Sequence, residues 1–426
     1  MVFEIEGVSA LEVLDSRGRP TLEVTVRLAD GTVASAGVPS GASTGTREAV
    51  ELRDGDPARF GGSGVRKAAD NVNRELNAQL AGRPWTDLAE VDASMCALDG
   101  TPNKARLGAN ALVGTSMALA RALAGSAGRE LVDWLPGTGA PPRMPVPCFN
   151  VLNGGAHAAN PLDFQEFMVC PLGAPSVAEA VRAGAEVYHA LRGRLVAAGR
   201  NVGLGDEGGF APDLAEPEDV LELIVAAIDD AGYARGSAGV GIALDPAASE
   251  FWSADGYRVN GATLSSADMI ARYAAMVDRF PVWSIEDGLG EQDPEGWKRL
   301  TATLGDRVQL VGDDNFCTNP AIISAAISEG IANAALIKLN QIGTVSETIE
   351  AMRVCHDAGY GQMVSHRSGE TPDSFIADLA VATGCGQLKS GAPARGERVA
   401  KYNRLIAIEA RRPDLDHGLP ERGAAS

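Results

Sequence analysis

The chain has 426 residues, 45% of them apolar and 22% charged, with a formal net charge of −19. That length exceeds one ordinary core and predicts two domains, one of them large, and the composition excludes a disordered chain. The negative charge argues against nucleic acid and anionic membranes as partners, but not against an anionic substrate, because a bound cation reverses the local field.

Residues 3–38 read as strands, with PTLEVTVRLADGTVASAGV alternating on both sides of a hairpin signal at Asp30-Gly31. PSGASTG follows, and from Ser40 to Gly45 it is a loop of small residues. Its small residues suit a mobile lid, and equally a plain surface linker. Residues 64–135 read as helical, and the Ala-rich GANALVGTSMALARALAG has so few charges that it predicts a buried helix. PGTGAPPRMPVP, beginning at Pro136, marks a domain boundary. From about Met144 to Ala410 apolar runs alternate with helical stretches, the rhythm of βα units around a parallel sheet. The runs are PCFNVL, FQEFMV, NVGLGD, GIALD, VWSIED, VQLVGD, AALIKLN, GQMVSH and GQLKSG. They come close to eight repeats and favour a closed barrel. DVLELIVAAIDDAG predicts a helix with Val220, Leu221, Ile224 and Ile228 on one face. The polar tail after Arg411 predicts a frayed end. The cysteines show no CxxC pair or paired spacing, which fits a reducing, cytoplasmic setting, and the N-terminus has neither the basic region nor the apolar core of a signal peptide.

Several runs end in ionisable residues. Asp245, Glu286 and Asp313 close consecutive strand candidates, and Lys338 arrives on the next. Strand ends are where barrels place their chemistry, and an all-oxygen set suits Mg²⁺. Taken one at a time such acids are solvated loop residues; three in succession followed by a lysine point to a metal site. GLGDEGG matches the dinucleotide string GxGxxG, but Asp206 and Glu207 would repel a pyrophosphate, so its glycines are read as bringing Glu207 close to a ligand. His366, Arg367 and Ser368 end another run, and Arg with Ser is a natural phosphate grip. Lys389 ends the last run, while NGGAHAAN and FQEF bring His157, Gln165 and Glu166. A single histidine in such a loop is more often structural than catalytic, and its weight here comes from its company.

With these motifs in order, the chain resembles the enolase (phosphopyruvate hydratase) family over nearly its whole length. The resemblance is carried by LDSRG, VPSGASTG, ELRDGD, LGANA, NGGAHA, QEFM, GDEGGFAP, ASEF, SIED, VGDD, NQIGT, SHRSGET, IADLAV and GAPARGERVAKYN. It implies an α/β fold: an N-terminal α+β domain over residues 1–138, carrying the Ser40 loop, and a modified (β/α)8 barrel over 139–426. It also implies a homodimer or higher oligomer and two Mg²⁺ per active site. Lys338 would be the general base and Glu207 the general acid, with Glu166 beside it and His157 in the same catalytic set. Asp245, Glu286 and Asp313 would hold the first Mg²⁺, and Ser40 would reach the second when its loop closes. Arg367 and Ser368 would grip phosphate, Lys389 would meet the carboxylate, and Gln165 and His366 would line the pocket.

The implied reaction is dehydration of 2-phosphoglycerate, a small phosphorylated carboxylic acid, to phosphoenolpyruvate. It needs a neutral Lys338, a state that Lys389, divalent ions and exclusion of water would favour, and a protonated Glu207, favoured by crowding against Glu166. Arg19, Pro102, Asn315, Cys317 and Pro372 depart from the family pattern. They remove no catalytic group, but they keep two alternatives open: a dehydratase of specialised metabolism acting on a phosphonoformyl analogue to give carboxyphosphonoenolpyruvate, and a non-catalytic homologue kept for binding or structure. Pro372 enters the first alternative as a residue that reshapes the phosphate-side wall, or else simply begins helix PDSFIADLAVAT.

Overall fold

The computed structural model describes residues 2–42 and 44–420. An antiparallel sheet of order β3-β2-β1-β4 comes first, from strands β1 (Phe3–Leu14), β2 (Pro20–Leu28), β3 (Val33–Gly37) and β4 (Pro84–Trp85). On β2 the residues Leu22, Val24, Val26 and Leu28 are buried and alternate with more exposed neighbours, the period-2 pattern of a half-covered sheet. The cover is the helix Ala109–Ser126, buried over most of its length as its composition predicted. The hairpin signal lands on a longer connection: Gly31 N donates to Leu28 O and Leu28 N to Thr32 O, with Gly31 at φ +89°.

Eight strands then close a barrel: β5 (Val146–Asn153), β6 (Glu166–Cys170), β7 (Gly241–Asp245), β11 (Val282–Glu286), β12 (Gln309–Gly312), β13 (Ala334–Ile337), β14 (Gly361–Ser365) and β15 (Gln387–Lys389). A small sheet of β8 (Trp252–Ser253), β9 (Gly256–Val259) and β10 (Ala262–Leu264) is inserted after β7. The barrel is not wholly parallel. β6 pairs antiparallel with both β5 and β7, and the other neighbours are parallel. The long helices Val177–Ala197 and Pro217–Asp230 follow β6 before β7 begins. Val220, Leu221, Ile224 and Ile228 are buried on the second, as their spacing predicted. Proline at the helix start and a preceding side-chain cap recur: Asp293 caps Pro294–Leu304 and Asn319 caps Pro320–Glu329.

Three expectations need correction. NVGLGD is not a barrel strand; it is a loop with isolated bridges from Phe210 to Leu204 and Leu152, because its glycines let the backbone lie against the barrel rim. The tail does not fray directly after Arg411. Met144 N donates to Asp416 O and Gly418 N to Met144 O, so backbone pairing ties it to the barrel, while residues 421–426 lie outside those described. Pro372 does not start a helix: that helix spans Phe375–Thr383, and Pro372 is exposed ahead of it.

Candidate active site

The strand ends deliver what the sequence promised. Asp245, Glu286 and Lys389 are the last residues of β7, β11 and β15, and Asp313, Lys338 and His366 directly follow β12, β13 and β14. Glu166 reaches the same end of the barrel by the opposite route. It is the first residue of the reversed strand β6, paired across to Asn153 and Asp245. Glu207 arrives on the loop between the two long helices. A side chain at Gly205 would meet Asn153 Oδ1 and the His157 carbonyl, each at 2.7 Å, so only glycine allows the loop to press this close to the rim.

These residues converge on a buried pocket lined by His157, Gln165, Glu166, Glu207, Asp245, Lys338, His366, Arg367, Ser368 and Lys389, among others. Its free volume is about 20 Å³, room for about one water. A larger cavity of about 240 Å³ lies under the small-residue loop, lined by Gly41, Thr44, Gly45, Glu48 and Asn340 among others, and shares Arg367 with the pocket.

Ammonium groups occupy the acidic cluster. Lys389 Nζ lies 3.1 Å from Asp245 Oδ2, 2.8 Å from Glu286 Oε1 and 3.1 Å from Glu166 Oε1. Lys338 Nζ pairs with Asp313 Oδ2, and Gln341 Nε2 donates to Asp313 Oδ1 at 2.7 Å. Asp245 and Glu286 thus aim their oxygens at one cationic point, which fits a hard divalent ion by donor chemistry. Burial, then the Asp245 charge, pushes Glu286 well above the usual carboxylate range, against the pull of Lys389. The three acids expected to share a metal do not close on one another, because Asp313 turns to Lys338. Among the described residues, the groups whose ligand atoms come within 4.8 Å of one another are His157–Glu166–Glu207 and Asp287–Asp313–Asp314. In the second, Asp287 (φ +41°) accepts from the backbone N–H of Asp313 and of Asp314, fixing the loop after β12.

Two protonation expectations change. Lys338 is raised rather than lowered: burial is the largest single influence and works against its charge, with Arg367 and Lys389, but Asp313 and Glu286 acting together prevail. Burial and crowding favour the protonated form at Glu166 rather than at Glu207. Burial, then the Glu207 charge, pushes Glu166 well up, whereas on Glu207 burial is outweighed by His366 and His157, which hold it well below the normal range. Asn150 Nδ2 donates to Glu207 Oε2 at 2.9 Å, and His366 Nε2 stands 3.1 Å from the same oxygen. His157 Nδ1 lies 3.7 Å from both Glu166 Oε1 and Glu207 Oε1.

Ser40 is brought to the site, but locked. Its backbone pairs with Gly369, its hydroxyl donates to Glu51 and accepts from Arg53 at 2.8 Å and from Arg17 at 3.3 Å. These contacts hold Ser40 in place; Ser43, further along the loop, lies outside the described residues. Arg367 is engaged by both oxygens of Glu48, and Arg17 Nη1 donates to Ser368 Oγ at 3.3 Å. Sequence reasoning gave no role to Arg17, Glu48, Asn150, Asp287 and Gln341. Arg17 and Gln341 sit inside quoted motifs, LDSRG and NQIGT, where the only signal was their company. Of the departures from the family pattern, Arg19 and Pro102 are exposed like Pro372, while Asn315 and Cys317 are buried near the loop.

Comparison with known proteins meets the same architecture. The family model for the enolase N-terminal domain matches residues 5–135, and that for the enolase C-terminal TIM barrel domain matches residues 142–415. The enolase of Acidothermus cellulolyticus is 54% identical over 422 residues, covering 99% of this chain and 97% of its own. That of Rubrobacter xylanophilus is 55% identical over 408 residues, and that of Mycobacteroides abscessus 55% over 406, each covering 95% of this chain and 94% of its own. Two family models that together span almost all of the sequence, and relatives above half identity along it, show that the chain belongs to the enolase family of hydro-lyases.

Proposed function

We propose that this site dehydrates 2-phosphoglycerate to phosphoenolpyruvate, with Lys338 removing the C2 proton and the Glu166–Glu207 pair assisting loss of the C3 hydroxyl. The observation that carries the reading is the barrel order. Going round the barrel, β13, which delivers Lys338, and β6, which begins with Glu166, are separated by the same number of strands in either direction. Base and acid therefore face one another across the barrel axis, and a substrate on that axis meets them on opposite faces. Glu166 and Glu207 act as one unit sharing a proton, so the pair, rather than Glu207 alone, is the acid that a hydroxide leaving group needs.

The donor set fits Mg²⁺, which we place on Asp245, Glu286 and Asp313, with a second ion reached by Ser40 once Arg17 and Arg53 release its hydroxyl. When bound, the ions supply neutralising charge for the dianion formed at the substrate carboxylate. Asp313, holding an ion, would no longer be free to stabilise the Lys338 ammonium paired with it here, and the neutral base form of Lys338 would be favoured. Lys389 is displaced from the acids towards the carboxylate, and Arg367 and Ser368 grip the phosphate. Gln165, His157 and His366 line the pocket and exclude water. The small free volume of the pocket means that substrate enters with the Gly41–Gly45 loop lifted.

The chain divides, in this reading, at 138/139, within the Pro- and Gly-rich segment between the two family matches. Exposed Leu11 and Leu14 on β1 support a homodimer, which analytical ultracentrifugation tests. The six free cysteines support a cytoplasmic setting, and no helix among the described residues is long and apolar enough to cross a membrane. Assay of 2-phosphoglycerate with Mg²⁺, following enol absorbance, tests the reaction. Absence of turnover, or a higher kcat/KM for the phosphonoformyl analogue, would overturn it. Pro372 and Arg19 are exposed and line neither cavity, so these two departures do not favour the analogue.

A further inference from the structure

Arg398 lies on the helix Gly396–Arg411 and is fully buried. Its Nη1 donates to His366 Nδ1 and to the Arg367 carbonyl, and its Nη2 donates to the carbonyls of Ser368 at 2.6 Å and Asp206 at 3.1 Å. One side chain thus holds the segment after β14 and the residue preceding Glu207. A guanidinium has only donors, so Nδ1 of His366 must present its lone pair. Burial, aided by the nearby Arg398 charge, holds the imidazole down at about 3 despite the Glu207 carboxylate, so the ring is neutral and its proton sits on Nε2. That nitrogen stands 3.1 Å from Glu207 Oε2, which already accepts from Asn150.

We propose that Arg398 is a positioning residue for the dehydration step: by fixing His366 as the Nε2–H tautomer, it keeps the proton of the acid pair off Oε2 of Glu207 and confines it to Oε1. Oε1 is the oxygen near His157, whose Nδ1 stands 3.7 Å from it and 3.7 Å from Glu166 Oε1. With the other tautomer, a lone pair on Nε2 would face Oε2 and draw the proton there, away from Glu166. The inference rests on the reading of Glu207 as part of the general acid. It separates from a purely structural role, because a residue that only braced the Arg367 and Ser368 carbonyls would loosen the phosphate grip and act on KM.

The test combines spectroscopy and kinetics on the full chain. Long-range ¹H–¹⁵N spectra of ¹⁵N-histidine protein, assigned with His366→Gln, should show His366 as the Nε2–H tautomer in the wild type. Arg398→Lys, which keeps the charge but not the fork, should lower dehydration roughly 10- to 100-fold, up to but not beyond the low end of a full general-acid contribution of about 10²–10⁴-fold. C2 exchange and KM should stay within about threefold, and Arg398→Met should be worse than Arg398→Lys. An Nδ1–H tautomer in the wild type overturns the proposal even if both variants fail to fold. Equal loss of exchange and dehydration with a raised KM in Arg398→Lys overturns it as well. Glu207→Gln measured alongside separates the two readings. If that change spares dehydration, the acid assignment falls; if it impairs dehydration while Arg398→Lys does not, only the role of Arg398 falls.

Discussion

Lys338 and Asp313 form the pair on which the proposed chemistry turns, because each is the other's counter-ion until a cation takes Asp313. Lys338→Ala should abolish both C2 hydrogen exchange with solvent and dehydration. Glu207→Gln should cut dehydration by about 10²–10⁴-fold and exchange much less, since it touches only the second step. Comparing exchange of deuterium at C2 with phosphoenolpyruvate formation checks both, and near-normal exchange in Lys338→Ala would remove it as the base. Asp313→Asn should weaken Mg²⁺ binding and activity together, because a charged ligand becomes neutral. Calorimetric Mg²⁺ titration of the variant reads the binding directly. Chelation of the wild type should silence it and added Mg²⁺ restore it; full activity in chelator is the result that defeats the metal assignment.

The loop Gly41–Gly45 works as an element because of what it presses on. A Cβ added at Gly45 would lie 2.7 Å from Cys317 Sγ and 3.2 Å from the Asp314 backbone, and the residue after Gly45 is anchored by Thr46 N donating to Glu291 at 3.3 Å. Cys317 is fully buried and Asp314 is backbone, so neither yields readily. Gly45→Val should therefore keep the loop from seating and raise KM for 2-phosphoglycerate about tenfold, the equivalent of roughly 1.4 kcal/mol. The thermal midpoint should be unchanged, since the loop contributes little to either core. Steady-state kinetics beside a melting curve distinguishes this from general destabilisation, and an unaltered KM would show that seating does not depend on this contact.

At the scale of the whole molecule, Asp92 pins the first domain to the barrel. From the helix Leu88–Asp99 its Oδ2 accepts from Ser116 and from the N–H and hydroxyl of Ser346, which lies in the barrel helix Val345–Asp357. Burial raises its carboxyl from 3.8 to about 6, against those hydrogen bonds. A group raised in the folded state stabilises fully below its unfolded value and loses that contribution as pH climbs through the folded one. The junction should accordingly weaken between about pH 4 and pH 7, by on the order of 3 kcal/mol. Asp92→Asn removes the titration, so the stability difference between variant and wild type should shift by that amount over the window, read from denaturant melts at each pH. Parallel curves would mean that Asp92 does not titrate there.

Much of this protein is written locally. Apolar runs named nearly every barrel strand, and apolar spacing named the helix face of Val220, Leu221, Ile224 and Ile228, because each rests on contacts within a few residues. The strand-end acids and lysines were legible for the same reason: position along a strand fixes which end of a barrel a residue reaches. What the tertiary structure alone decided is direction and pairing. NVGLGD has the composition of a short strand, yet it is a loop because Gly205 packs on Asn153 and His157 from elsewhere in the chain. β6 runs backwards, so Glu166 enters the site from a strand's beginning. Which carboxyl keeps its proton, and which lysine stays charged, depended on partners far away in sequence: His366 and His157 for Glu207, Asp313 for Lys338. A protonation state sums the fields of every group within several ångströms, and those neighbours are assembled only when the barrel closes.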